Sequence, residues 1–273
     1  MKNYLINDRI ERGLTQITKT GPLRQKDRLK ELHTIYKLIY KYWNYKVDYD
    51  VYHSSDRWDT ITFSEILSNG LFLTPCNDEL RFYFHSLHNK KEDLYEFDIR
   101  KKLISNFDDK YRLIKNRGKS YKKLIVPPGG NLFEKAVDRE KLQKELNDGA
   151  VIKPHPVSNP QFISFLNREF GKDRVLNPKT SGMDLVLKAE KIITCSTSEL
   201  GFVAALLEKE VEIIDTDYNR AIYKPLYDST SLDKDSISKL FFSSYSGIFW
   251  KWDPEEKLKS IINNMIESYK CHE

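Results

Sequence analysis

The alternation of apolar and polar positions changes rhythm along the chain. The clearest unit is the stretch from Lys191 to Leu207. An apolar run, Ile192-Ile193, gives way to Thr194, Cys195 and the hydroxyls Ser196-Thr197-Ser198, and apolar residues then recur at helical spacing. That order predicts a strand, a hydroxyl turn and a helix. Residues 122–126, 151–153, 175–176 and 211–214 are further short apolar runs that stop at Pro, Gly, Asn or Asp, and residues 161–170 and 181–190 between them read as helices. Alternating β and α units of this length imply a parallel sheet with helices on both faces.

The first half reads less regularly. Residues 2–7 and 47–52 fit strands, and Leu29, Leu32, Ile35, Tyr36, Leu38, Ile39 and Trp43 give residues 24–44 an amphipathic helical face. Residues 64–69 suggest a brief helix, 71–75 a strand, and the aromatic run 80–85 another strand. Beyond Leu226 the chain is rich in Ser and Asp, then aromatic from Phe241 to Trp252. Asp253-Pro254-Glu255-Glu256 begins a last helix whose apolar face is Leu258, Ile261, Ile262, Met265 and Ile266.

Composition admits a sizeable core. The chain has 273 residues, 40% hydrophobic and 12% aromatic, enough for one large domain or two of about 120–150 residues. No run of about 18 apolar residues occurs, and the N-terminus is charged too early for a signal peptide, so a cytoplasmic protein without a transmembrane segment is expected. Cys76, Cys195 and Cys271 are far apart and show neither zinc nor disulfide spacing. Charge is uneven: residues 1–120 hold 23 Lys/Arg against 17 Asp/Glu, and residues 121–273 hold 22 against 23. The excess suits an anionic partner, nucleic acid or acidic glycan, or simply a solvated basic surface. It peaks at residues 100–123, with ten Lys/Arg against Asp108 and Asp109, a linker or a strip that touches acceptor phosphates.

Candidate chemistry gathers at predicted strand ends. Lys153 and His155 share one face where Lys153-Pro154-His155-Pro156 leaves the sheet. Hydroxyls at the start of a helix cap its free N–H groups, and those groups with the helix dipole suit a phosphate. Gly129 and Gly130, after the strand 122–126, let the backbone approach a ligand. Asn177 follows the short strand 175–176 at a similar position. In the loop after strand 47–52, Asp56 is the favoured catalytic base for an acceptor hydroxyl, with His53 and Asp59 behind it. His85 and His88 have a spacing that a helix could use for a metal, without an evident third ligand. Three Asp-x-Asp pairs are close to chance in so charged a chain, and no required metal or cofactor is expected.

Lys153-Pro154-His155-Pro156, followed about forty residues later by Ser196-Thr197-Ser198 and a helix leading to Glu208-Lys209-Glu210-Val211-Glu212-Ile213-Ile214, resembles the nucleotide-binding half of GT-B glycosyltransferases. The nearest groups are bacterial capsule, Kdo-type and sialyltransferase-like enzymes and polyol-phosphate polymerases. The likeness covers roughly residues 121–225. It implies an α/β, GT-B-like fold of two Rossmann-like domains with a cleft between them: residues 1–120 for the acceptor, 121–240 for the donor, and a helical segment, 241–273, returning to the first domain. It gives His155, Ser196, Thr197 and Ser198 to the donor's phosphates, and the positions of Lys153, Gly129, Gly130 and Asn177 at strand ends add them as donor-binding candidates. The implied reaction moves a sugar from a UDP-, CMP- or CDP-linked donor to an acceptor hydroxyl, on a bacterial surface glycan or a hydroxymethylated base of phage DNA. Alternatives are polyol-phosphate transfer and a non-catalytic nucleotide-binding or nucleic-acid-binding module. Thr197 in mid-turn and Glu199 directly after it depart from the family pattern, which leaves open which hydroxyl meets phosphate.

Overall fold

Runs that are apolar on both faces have to be covered on both faces, and four of them pair here as one parallel sheet. In the computed structural model, residues 46–49, 60–67, 70–89, 114–115, 119–156, 158–218, 220–250 and 252–271 are described. The expected strand 2–7, the helix 24–44, the loop 53–59 and residues 100–113 lie outside them. Two units divide the chain, Leu113–Lys239 on one side and Met1–Arg112 with Leu240–Glu273 on the other. The protein is a mixed α/β chain.

In the unit Leu113–Lys239, strands β4 (Tyr121–Val126), β5 (Val151–Ile152), β6 (Ala189–Thr194) and β7 (Glu210–Ile213) lie in the order β5-β4-β6-β7, all parallel. Side chains alternate across a strand. Ile125, Ile152 and Ile193 therefore share a face, and with Phe133, Leu142, Leu146, Leu166 and Phe170 they form one buried cluster. Those partners come from helices α2 (Gly130–Ala136), α3 (Arg139–Asn147) and α4 (Pro160–Phe170). Leu124 and Ile192 have the opposite parity and are also fully buried. Helices α5 (Gly182–Lys188) and α6 (Leu200–Leu206) pack against β4, β6 and β7. Each Leu or Ile removed from water in this way contributes about 1.5–3 kcal/mol. Helices α3, α4 and α5 start on side-chain caps: Asp138 accepts from the Glu140 and Lys141 N–H groups, Asn159 from Phe162 and Ser181 from Asp184. α7 (Lys224–Ser229) and α8 (Lys234–Phe242) follow β7.

The described strands of the other unit are β1 (Lys46–Tyr49), β2 (Thr60–Ile66), β3 (Gly70–Pro75) and β8 (Ile248–Trp250), in that order across the sheet. Only β1 and β2 run parallel; β2 with β3 and β3 with β8 are antiparallel. The four-stranded sheet of Leu113–Lys239 is therefore all parallel, and the described strands here are mixed. Two local expectations change. Residues 80–85 belong to helix α1 (Asp78–Ser86), because Asn77 caps the Leu80 N–H and the buried residues Leu80, Arg81, Phe84 and His85 fall on one helical face. Residues 64–66 continue β2, held in antiparallel register from Ser64↔Phe72 to Ile66↔Gly70. The last helix, α9 (Glu255–Lys270), buries Leu258, Ile261, Ile262 and Met265 and packs against α1. Among the described residues no helix is long and apolar enough to cross a membrane.

Candidate functional site

Parallel strands release their following loops at a common edge. From β4 the chain moves outward to β5 on one flank, then crosses to β6 on the other. The order reverses between β4 and β6, and loops that leave in opposite directions open a crevice at such a switch point, where ligands of open α/β sheets sit. Its floor is tied: the Thr194 hydroxyl donates to the Val126 carbonyl at 2.9 Å, across the last register pair of β4 and β6. Residues 127–130 follow β4 and residues 195–199 follow β6 at this edge, with Lys153 to Pro156 following β5 on the other flank of β4.

The hydroxyl turn is held from inside the chain. The Ser198 N–H donates to the Cys195 carbonyl at 2.9 Å, and Ser198 Oγ accepts from the Leu200 N–H at 3.2 Å, a capping role at the start of α6. Thr197 Oγ1 is hydrogen-bonded with Cys195 Sγ at 3.0 Å. The Ser196 N–H donates to Asp215 Oδ1 at 2.8 Å, and the Ser196 carbonyl accepts from the Tyr223 N–H at 3.2 Å. From α7, the Tyr227 hydroxyl donates to the Ser198 carbonyl at 2.8 Å and its ring stacks on Phe202 at 4.1 Å. The Ser196 hydroxyl is different. Ser196 is 1% exposed, and its Oγ lies against the Asp215 carboxylate without reaching hydrogen-bond geometry.

Burial sets the electrostatics. It is the largest influence on Asp215 and pushes its carboxyl above the usual range, while Ser196 and Lys224 pull it back. Burial also pushes the Cys195 thiol up to about 12, so this cysteine is a neutral, unreactive packing group. Among the described residues, no three His, Cys, Asp or Glu side chains gather as metal ligands would.

The other expected residues occupy the same edge with their own local roles. Gly129 is the non-helical cap residue of α2. At Gly130 a Cβ would stand 2.9 Å from the Phe162 ring, so α4 packs closely on this glycine. Lys153 is 2% exposed and its Nζ donates to the Pro154 carbonyl at 2.6 Å. His155 is half-buried, and its carbonyl accepts from the Ser158 N–H at 3.0 Å. Val175 bridges Ile152 in parallel, which carries Asn177 beyond the outer flank of β5, where its Oδ1 accepts from the Lys179 N–H at 2.9 Å. His53, Asp56 and Asp59 lie outside the described residues. Asp215 went unassigned in the sequence, although it closes a predicted strand and so belongs to this edge.

His85 and His88 form no metal pair in this geometry. His85 Nδ1 donates to the Tyr245 carbonyl at 3.1 Å, which leaves Nε2 to accept from the Thr74 hydroxyl at 2.9 Å. His88 Nδ1 is turned to the His85 carbonyl at 2.5 Å.

No protein-family model matches the chain, and no curated protein matches it. Among solved structures, that of the wall teichoic acid polymerase TagF is similar over 70% of this chain and 44% of its own, with 15% identity and a TM-score of 0.29. The chain thus spans under half the length of that polymerase.

Proposed function

We propose that the unit Leu113–Lys239 holds the phosphates of a nucleotide-linked donor at the β4/β6 switch point, and that the protein transfers the donor's sugar or polyol phosphate to an acceptor hydroxyl. The observation that carries this reading is the strand order β5-β4-β6-β7. It sets Gly129, His155 and the turn Ser196–Ser198 along one carboxyl edge, in the Lys-Pro-His-Pro and Ser-Thr-Ser arrangement that resembles the GT-B donor half. In sugar transfer the acceptor oxygen attacks the anomeric carbon, the bond to the donor's phosphate oxygen breaks, and the nucleotide leaves with the electron pair. In polyol-phosphate transfer the same oxygen attacks phosphorus and a nucleoside monophosphate leaves. Both reactions need groups aimed at the charge that develops on the departing phosphate. His155 and the hydroxyl turn supply them in this proposal. Asp56, with His53 and Asp59 behind it, is the proposed base, and the basic residues 1–120 the proposed acceptor segment.

The test is release of nucleotide. The protein is incubated with UDP-, CMP- and CDP-linked sugars and CDP-linked polyols, together with oligosaccharide, polyol-phosphate and duplex DNA acceptors, and nucleotide is followed by ion-pair chromatography. The expected result is acceptor-dependent release from one donor class, abolished by His155→Ala. Binding without release points to a non-catalytic module. Absence of both binding and release overturns the reading.

A further inference from the structure

A carboxylate is an unexpected neighbour for a phosphate, and one is fixed into this edge. Asp215 follows β7, where its backbone bridges Val137 and the Asp138 N–H donates to the preceding Ile214 carbonyl at 2.9 Å. Held there, its Oδ1 accepts from the Ser196 N–H at 2.8 Å. Its Oδ2 is buried without a hydrogen bond. The Lys224 ammonium stands 4.0 Å from Oδ2, longer than a hydrogen bond, and approaches Asp228 to 2.5 Å instead. The Ser196 hydroxyl, also buried and without a hydrogen bond, faces the same carboxylate.

Resting on the donor-site reading above, we infer that Asp215 is a proton-operated gate on that site. As a carboxylate it repels an arriving phosphate; protonated, it still accepts the Ser196 N–H on its carbonyl oxygen but no longer repels. Several groups face it. From the turn come Cys195 and Ser196, from α7 come Lys224, Tyr227 and Asp228. Burial pushes both the Cys195 thiol and the Tyr227 phenol upward, so each stays neutral, and Lys224 and Asp228 offset one another as a pair. Asp215 is the acid of this cluster that burial moves toward its neutral form against the pull of Ser196 and Lys224. His155 stands on the other flank of β4, and a variant at position 215 separates its contribution from that of Asp215. By linkage, an anion that prefers the protonated form must raise the Asp215 pKa when it binds, and its affinity must rise as pH falls.

The experiment is calorimetric titration of CDP into wild type and Asp215→Asn between about pH 5 and pH 8. The amide keeps an oxygen to accept from Ser196 and removes the charge. Wild-type affinity is expected to increase as pH falls, and Asp215→Asn to bind CDP about tenfold more tightly than wild type at neutral pH, with most of the pH slope gone. A second measurement needs no variant: carboxyl NMR of protein labelled at aspartate is expected to show one carboxyl whose titration moves upward when CDP is added. A folded Asp215→Asn that binds no better than wild type, or the absence of any carboxyl that moves upward, overturns the gate and leaves the donor site standing. If wild type binds CDP at no pH, the gate fails together with the CDP form of the donor reading.

Discussion

Thr194 and Val126 face each other at the last register pair of β6 and β4, and the Thr194 hydroxyl donates to the Val126 carbonyl at 2.9 Å. Both residues are buried. This bond clamps the two central strands at the level where the sheet ends and the crevice begins.

Thr194→Val keeps the shape and removes the donor. Leaving the carbonyl short of a partner costs about 1–2 kcal/mol, expected as a lower urea midpoint with unchanged m-value. Nucleotide affinity should weaken as well, because the two strand ends at the crevice lose their tie. Equilibrium denaturation and calorimetry on the same preparation check both outcomes.

At Gly201 a Cβ would meet the Tyr227 hydroxyl at 2.1 Å and Thr194 Cγ2 at 3.0 Å. Gly201→Ala therefore forces apart α6, α7 and β6, and overpacking of this kind costs about 1–3 kcal/mol. Tyr227→Phe removes the oxygen nearest the clash, although Tyr227 Cζ still stands 3.1 Å away. The double variant is expected to be more stable than the sum of the two single losses predicts, and a double-mutant cycle measures the difference. Simple additivity would show that the clash is relieved elsewhere.

His85 gives the other unit a pH dependence. Burial lowers its pKa from 6.5 to about 3, so the unfolded chain takes up a proton that the folded chain refuses. The stability this contributes is full above about 6.5 and is lost as pH falls toward 3, by up to about 1.4 kcal/mol per pH unit. Urea denaturation of wild type and His85→Gln at about pH 7 and about pH 5 checks it. The variant is expected to be the less stable at neutral pH and to lose less between the two. An imidazole signal for His85 that titrates near its ordinary value would contradict the assignment.

Strands β4, β5, β6 and β7 were legible because burial on two faces leaves an apolar run that stops at a Pro, Gly or Asp, whereas helices α2 and α3 between β4 and β5 were not read from the pattern. The caps Asn159 and Ser181 stand where their helices begin. The run 80–85 misled because Phe82, Tyr83 and Phe84 favour a strand by composition, while the Asn77 cap and a single buried helical face prevail in the fold. Residues 64–66 depend on partners in β3 that no local pattern announces. At the candidate site, the place of the hydroxyl turn could be read. Its supports could not, since Asp215, Tyr223 and Tyr227 lie 19 to 29 residues away and are brought in by packing. The close approach of Phe162 to Gly130 is likewise a contact made only in three dimensions.

The most direct measurement is a thermal-shift panel of UDP, CDP, CMP, GDP and ADP on wild type and His155→Ala, with and without Mg²⁺. A ligand that binds the native state raises its apparent stability by mass action. One nucleotide is expected to raise the wild-type Tm, and His155→Ala to lose that response while keeping its own Tm in buffer. No response to any nucleotide, or an equal response in both proteins, would contradict a donor site built around His155 and the hydroxyl turn.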